Sequence, residues 1–187
     1  MSPRPVVLLL LLAAAAPALA APTEGQPGYL RSTPDLGKAE GQCRPGEKGP
    51  AVVVTLVGLK DRTGTMKAEV YPPDDKDFLE NDNILVMDGK TFRRTEATMP
   101  ASGPVQVCVR LPGPGVYTMT VLHDRDRNRK FGISSDGIGF PNNPKLGLSK
   151  PKASAVRFTA GPGITDITIR MNYRRGMFSF GPLKQPH

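Results

Sequence analysis

The chain has no tryptophan, two cysteines and two histidines among its 187 residues. A zinc or iron–sulfur centre draws on about four thiolates or a Cys/His mixture, so such sites are excluded. There is no Gly-x-Ser-x-Gly elbow, no His-Glu-x-x-His pair and no phosphate-cradling Gly-rich loop. The cysteines lack Cys-x-x-Cys spacing, which argues against a redox-active pair. With 20 glycines and 20 prolines, a long helical bundle or coiled coil is also excluded, because both residues oppose helix interiors. No apolar run reaches the roughly 20 residues that a transmembrane helix needs.

The longest apolar run, Val6 to Ala16, follows Arg4 and is broken by Pro17. Ala18-Leu19-Ala20 then supplies a small-x-small site. This is the layout of a secretory signal peptide over residues 1–20, cut between Ala20 and Ala21. Ala21 is not a cysteine, so a lipid-anchored product is not expected. The mature protein is expected to be soluble and periplasmic or secreted. An oxidising compartment makes Cys43 and Cys108 an expected disulfide. In the chain-entropy picture such a bridge stabilises by about 4 kcal/mol.

Residues 21–50 are rich in Gly, Pro, Glu and Lys and read as a flexible lead-in with a tether point near Cys43. Residues 51–173 then carry β-type patterning. Val52–Leu59 is β-branched and apolar, and Gly64–Tyr71 alternates until Pro72-Pro73. Asp74–Asn83 reads as a helical turn or a loop anchored by Phe78. Between Ile84 and Arg94, Asp88-Gly89 is a turn signal joining two short strands. Val105–Leu111, Val116–His123, Ala153–Ala160 and Ile164–Tyr173 complete the set. In the last, Ile167, Ile169, Met171 and Tyr173 share one face. The expected fold is all-β: a single antiparallel sandwich of about seven strands, Greek-key-like, with one long loop over 124–152. Tyr117, following Pro114-Gly115, has nearly the spacing of a tyrosine corner, whose hydroxyl bonds nearby backbone. A Tyr117 that merely faces the core is the plain alternative. Residues 174–187 read as a basic tail.

The chemically suggestive stretch is His123-Asp124-Arg125-Asp126-Arg127-Asn128-Arg129-Lys130. Asp124, Asp126 and Asn128 occupy positions 1, 3 and 5 of a calcium-loop spacing, where alternate residues aim oxygens at one point. Position 6 is Arg129 rather than glycine, and position 12 is Ser135 with Asp136 beside it. A plainer reading is a self-satisfied turn, with Asp and Asn capping backbone N–H groups. A third is a basic surface of Arg125, Arg127, Arg129 and Lys130 in a chain of net charge +8, suited to anionic ligands. His123 is expected to order the loop rather than to catalyse. Its neighbour Asp124 points to the opposite face of a strand, and His187 lies at the far terminus.

Several of these residues together resemble the bacterial domain-of-unknown-function family 2141. They are Val54-Thr-Leu-Val-Gly58-Leu59, the Gly64…Val70-Tyr71 partner, Pro114-Gly115-Val116-Tyr117, His123-Asp124 with Asn128, and Gly137-Ile-Gly139-Phe140-Pro-Asn142-Asn143. The resemblance covers about residues 50–173 and implies an exported, mostly β domain like the transthyretin or carboxypeptidase-regulatory sandwiches. It implies no established activity. Asp126 stands where the family has Asn, and Arg129 where it has Gly.

The functional expectation is a non-catalytic exported module, envelope-associated or binding anionic ligands through residues 124–150, whose glycines Gly137 and Gly139 belong to the expected functional surface. It has no cofactor, and its partner is an anionic envelope component or a secreted protein rather than nucleic acid. One alternative is a calcium-stabilised structural module. Another is a hydrolase using His123, which needs a carboxylate and a hydroxyl gathered with it in a pocket.

Overall fold

The computed structural model describes residues 22–147, 149–177 and 179–184. The signal segment with its Ala20–Ala21 cleavage site, and His187, lie outside the described residues. The strands are β1 (Ala51–Val57), β2 (Thr65–Tyr71), β3 (Arg93–Thr98), β4 (Val105–Arg110), β5 (Gly115–Asp124), β6 (Gly137–Gly139), β7 (Arg157–Ala160), β8 (Ile164–Arg170), β9 (Asn172–Arg174) and β10 (Phe180–Pro182). Two short helices, α1 (Lys38–Gly41) and α2 (Asp82–Met87), and a 3-10 turn at Ala153–Ala155 accompany them.

One sheet has the order β4-β1-β8. The other runs β10-β9-β6-β5-β2-β3, with β7 also paired to β5. The all-β sandwich is as the sequence implies. Its principal core lies where strand faces of period two meet: Val52, Val54 and Leu56 of β1, Met66, Ala68 and Val70 of β2, and Met119 and Val121 of β5. Ile169, Met171 and Tyr173 close the same core, the face that their alternation indicates. A second apolar cluster contains Tyr71, Phe78, Leu85, Phe92, Phe140 and Val156. Tyr71 follows Val70 in β2 and so emerges on the opposite face from the first core. The β2–β5 region is therefore covered on both sides. From Tyr117 to Asp124 every residue of β5 is buried, including the polar Thr118, Thr120, His123 and Asp124.

The architecture departs from expectation in several places. First, β8 runs parallel to β1, so the sandwich is mixed rather than purely antiparallel. Second, residues 84–87 belong to helix α2, not to a strand. Third, the long loop contains strand β6, and fourth, the basic tail contains β10, which pairs with β9. The expected Ile164–Tyr173 strand is moreover divided, its β8 part in one sheet and its β9 part in the other, so β6, β9 and β10 raise the count above about seven. The lead-in is also docked in part. Arg94 Nη1 donates to the Thr33 carbonyl (3.0 Å), and Thr95 Oγ1 donates to that of Gly41 (3.0 Å).

The hydroxyl of Tyr117 donates to the Gly113 carbonyl at 2.9 Å, so this tyrosine pins the β4–β5 crossing between sheets. Cys43 and Cys108 form a disulfide with a sequence separation of 65 residues and a Cα–Cα distance of 5.9 Å. It staples the lead-in to β4. Replacing both residues (Cys43→Ser with Cys108→Ser) should lower stability by about 2–4 kcal/mol. Urea denaturation of the two proteins measures this, and an unmoved midpoint would contradict a stapling role.

Candidate functional site: the carboxylate turn after β5

Strand β5 delivers His123 and Asp124 to the point where the chain leaves the sheet. Its β2 partners there are Met66 and Thr65, and Gly137 of β6 pairs with His123 on the other edge. The imidazole is fully buried. Nε2 lies 2.7 Å from the Thr63 carbonyl oxygen, and Nδ1 lies 2.6 Å from the Tyr173 hydroxyl. A carbonyl only accepts, so Nε2 carries the proton and the Tyr173 hydroxyl donates to Nδ1. Burial holds the ring's pKa below its ordinary value and keeps it neutral. Burial also pushes the Tyr173 hydroxyl up to about 12. A carboxylate and a hydroxyl thus stand beside His123, the former being Asp61 at 3.9 Å from Nε2. Both ring nitrogens, however, are engaged inside the protein.

Asp124 is buried too, and its carboxylate folds back over the turn. One oxygen accepts from the Asn128 backbone N–H (3.1 Å) and the other from that of Arg129 (2.8 Å). Asp136 does the same from the far side, accepting from Arg125 N–H (3.0 Å) and Gly132 N–H (2.7 Å). Asp126 accepts from the Asn128 backbone N–H and side-chain amide, and Asn128 Oδ1 accepts from Lys130 N–H. The self-satisfied turn expected from the sequence is therefore the principal pattern here. Arg127 and Arg129 both take left-handed conformations, with φ of 60° and 66°. Arg129 thus adopts the backbone geometry for which the calcium-loop pattern uses glycine.

Of the predicted ligand set, Asp124 and Asp126 come together, and Asn128 is turned to backbone and to Asp126. The third carboxylate is Asp136. Ligand atoms of Asp124, Asp126 and Asp136 lie within 4.8 Å of one another, a span that a cation bound by several oxygens would bridge. Each carboxylate oxygen that accepts one backbone N–H retains a second lone pair. Burial raises the pKa of Asp124 above the ordinary carboxylate value, against the opposing bonds from Arg129 and Asn128 N–H.

The predicted basic ridge is divided. Arg125 forms a two-pronged pair with Asp61 and also donates to the Ser135 carbonyl at 2.7 Å. Arg129 pairs with Glu96 of β3 and donates to the Pro34 carbonyl (2.9 Å). Lys67 Nζ reaches the Arg129 carbonyl (3.1 Å). Arg127 and Lys130 are exposed and pair with no carboxylate among the described residues. The partners Asp61, Glu96 and Tyr173 carry no local signal of this role, because each arrives from another element.

The Gly-x-Gly-Phe stretch is equally structural. A Cβ at Gly137 would sit 2.2 Å from the Tyr173 ring, and one at Gly139 would sit 2.5 Å from Ile169. Phe140 enters the second core. The Asn142 amide donates to the Arg157 carbonyl (2.7 Å), while Asn143 Oδ1 accepts from Arg170 N–H (2.6 Å).

The profile of a bacterial family described as "Uncharacterized protein conserved in bacteria (DUF2141)" matches residues 54–168. That range contains strands β2 to β7, with most of β1 and of β8, and the His123-Asp124 and Gly137–Phe140 stretches. Comparison with curated proteins gives no match, and neither does comparison with solved structures.

Arg125, through its hydrogen bonds, holds the Asp61 pKa below the usual carboxylate value, against the effect of burial. A depressed carboxylate pKa contributes stability that is present above the unfolded value and lost as pH falls through the folded one. Asp61→Asn should therefore cost about 1–2 kcal/mol near neutral pH and much less well below the unfolded value of 3.8. Urea denaturation at both pH values checks this. An equal loss at each would show that the ion pair is not the source.

Proposed function

The chain belongs to the bacterial DUF2141 family, and from that premise we propose that it is an exported, non-catalytic module that docks on an anionic lipid surface through residues 124–152. The observation that carries this reading is an imbalance of exposed charge. Arg127, Lys130, Lys145 and Lys152 are exposed without a carboxylate partner among the described residues, and Asp126 is the one exposed acid of the segment. The absence of catalysis is supported by how the two motifs are used. His123, Asp124, Asp136 and both glycines are committed to internal contacts. Export is supported by the signal-like N-terminal sequence and by the Cys43–Cys108 bridge, which suits an oxidising compartment. Among the described residues no helix is long and apolar enough to cross a membrane.

Mature protein should sediment with phosphatidylglycerol vesicles and not with phosphatidylcholine vesicles. Each basic residue near an anionic surface contributes about 1 kcal/mol. Arg127→Glu combined with Lys130→Glu should therefore weaken vesicle binding by at least about tenfold. Added salt should weaken it as well. Unchanged sedimentation of the double variant would refute docking through this segment.

One observation favours a second reading, a calcium-stabilised turn: Asp136 supplies the third carboxylate beside Asp124 and Asp126. Ligand at about a hundred times its dissociation constant adds about 2.7 kcal/mol to stability. On this reading, millimolar calcium raises the melting temperature by several degrees, EDTA reverses the gain, and Asp136→Asn abolishes it. An identical melting curve with calcium and with EDTA would end this reading.

A further inference from the structure

The exposed apolar surface is uneven. Phe131, Ile133 and Met177 are 44%, 53% and 76% exposed, and all three lie where the 131–151 segment faces the β9–β10 ribbon. A groove runs between the two. Two adjoining cavities of about 520 and 260 Å³ share Ile133, Leu146, Gly147 and Phe180. A third, of about 380 Å³, continues past Leu146 and Phe180 towards Lys145, Arg170 and Arg175. Phe131 meets Phe180 edge to face, with ring centroids 6.0 Å apart, so the opposing walls touch. The cavities of about 520 and 380 Å³ fall in the range of pockets that enclose small ligands, about 300–1,000 Å³, and the smaller one adjoins the first.

The charge in the groove has one sign. Arg174 and Lys150 border the apolar cavities, and three further cations line the third. No carboxylate lines any of these cavities among the described residues. The basic groups donate to neutral acceptors instead. Arg174 bonds the Gly176 carbonyl and Ser134 Oγ, Arg175 the Pro182 carbonyl, and Lys150 the Phe78 carbonyl. Carbonyls orient these cations and leave their charge uncompensated. A second copy of this chain would bring more cations, at +8 per chain, to the same place. A bare anion would leave the apolar walls in water. An apolar chain with an anionic head satisfies both features.

We propose that this groove binds a single-chain anionic amphiphile. Its acyl chain lies along Phe131, Ile133, Leu146 and Phe180, and its carboxylate or phosphate head sits among Lys145, Arg170 and Arg175. This extends the reading of a module that faces anionic lipid and names the molecule its groove takes up. The concave lining suits one extracted chain, whereas an intact bilayer would meet only the rim.

Calorimetric titration of the mature protein with dodecanoate, below micelle-forming concentrations, tests the proposal. Dodecyltrimethylammonium serves as the counterpart of opposite charge. Saturable 1:1 binding of dodecanoate is expected, with the cationic amphiphile at least about tenfold weaker. Ile133→Glu puts a carboxylate in the groove from a half-exposed position that folding does not need buried. It should weaken dodecanoate by at least about tenfold, and Arg175→Glu should weaken it by a similar factor. Both variants should keep the native melting temperature. Absence of saturable binding, equal affinity for the two amphiphiles, or unchanged affinity in Ile133→Glu would each overturn the proposal. Phosphatidylglycerol vesicles separate it from the docking reading. Binding of dodecanoate without vesicle binding defeats docking alone. Vesicle binding without dodecanoate defeats the groove alone.

Discussion

From Tyr117 to Asp124, strand β5 has no free side. Its faces are covered by two apolar clusters, and its edges are taken by β2 on one hand and by β6 and β7 on the other. Every polar atom it carries between Tyr117 and Asp124 must therefore be answered from within the protein, since burying an unanswered one costs about 1–3 kcal/mol. Thr118 is answered by the Pro72 carbonyl (2.7 Å), and His123 by the Thr63 carbonyl and the Tyr173 hydroxyl. Thr120 Oγ1 is the exception, buried with no hydrogen-bond partner among the described residues. The environment of His123 follows from this constraint. A ring held neutral, with both nitrogens engaged, fixes the β1–β2 connection and β9 against the end of β5.

The same constraint governs how the chain leaves the strand. The turn over 124–136 cannot borrow sheet partners, so buried carboxylates at its two ends satisfy its N–H groups. Anchors from outside hold it down: Asp61 fastens Arg125, and Glu96 with the Pro34 carbonyl fastens Arg129. A left-handed conformation at a residue other than glycine costs about 1–2 kcal/mol. Arg129 has these contacts to offset that cost. Arg127 shares the conformation and has no such contact among the described residues.

The sequence made the strand interiors legible because period-two alternation marks them, as in β2 and in the Ile167–Tyr173 face. It left neighbour direction unmarked. A strand carries the same pattern whether its partner runs parallel or antiparallel, so the β1–β8 pairing was invisible. Asp88-Gly89 misled for a specific reason. The dipeptide suits a hairpin, but here it ends α2. Gly89 takes φ 67°, its N–H bonds the Val86 carbonyl, and Lys90 N–H bonds that of Leu85. This is the Schellman arrangement of a helix terminus. Pairing within the site was legible only where the partners are local. Asn128 with Asp126 could be read from spacing. Asp136 with Asp124, Arg125 with Asp61 and Arg129 with Glu96 depend on the fold bringing separate segments together.

This division bears on where function can reside. The inner side of the 124–136 turn is engaged by backbone N–H groups and ion pairs, with carboxylate lone pairs to spare where Asp124, Asp126 and Asp136 converge. What the fold leaves unanswered lies further along the same excursion. Past Lys130 the chain presents Phe131 and Ile133 to solvent, then returns through β6 and runs on to Lys145. There it faces a ribbon that contributes Arg174, Arg175 and Phe180. Apolar side chains left in water are unfavourable, and cations of one sign gathered beside them repel one another. Nothing in the sandwich core requires them. Their juxtaposition on one groove is what the proposed amphiphile would satisfy.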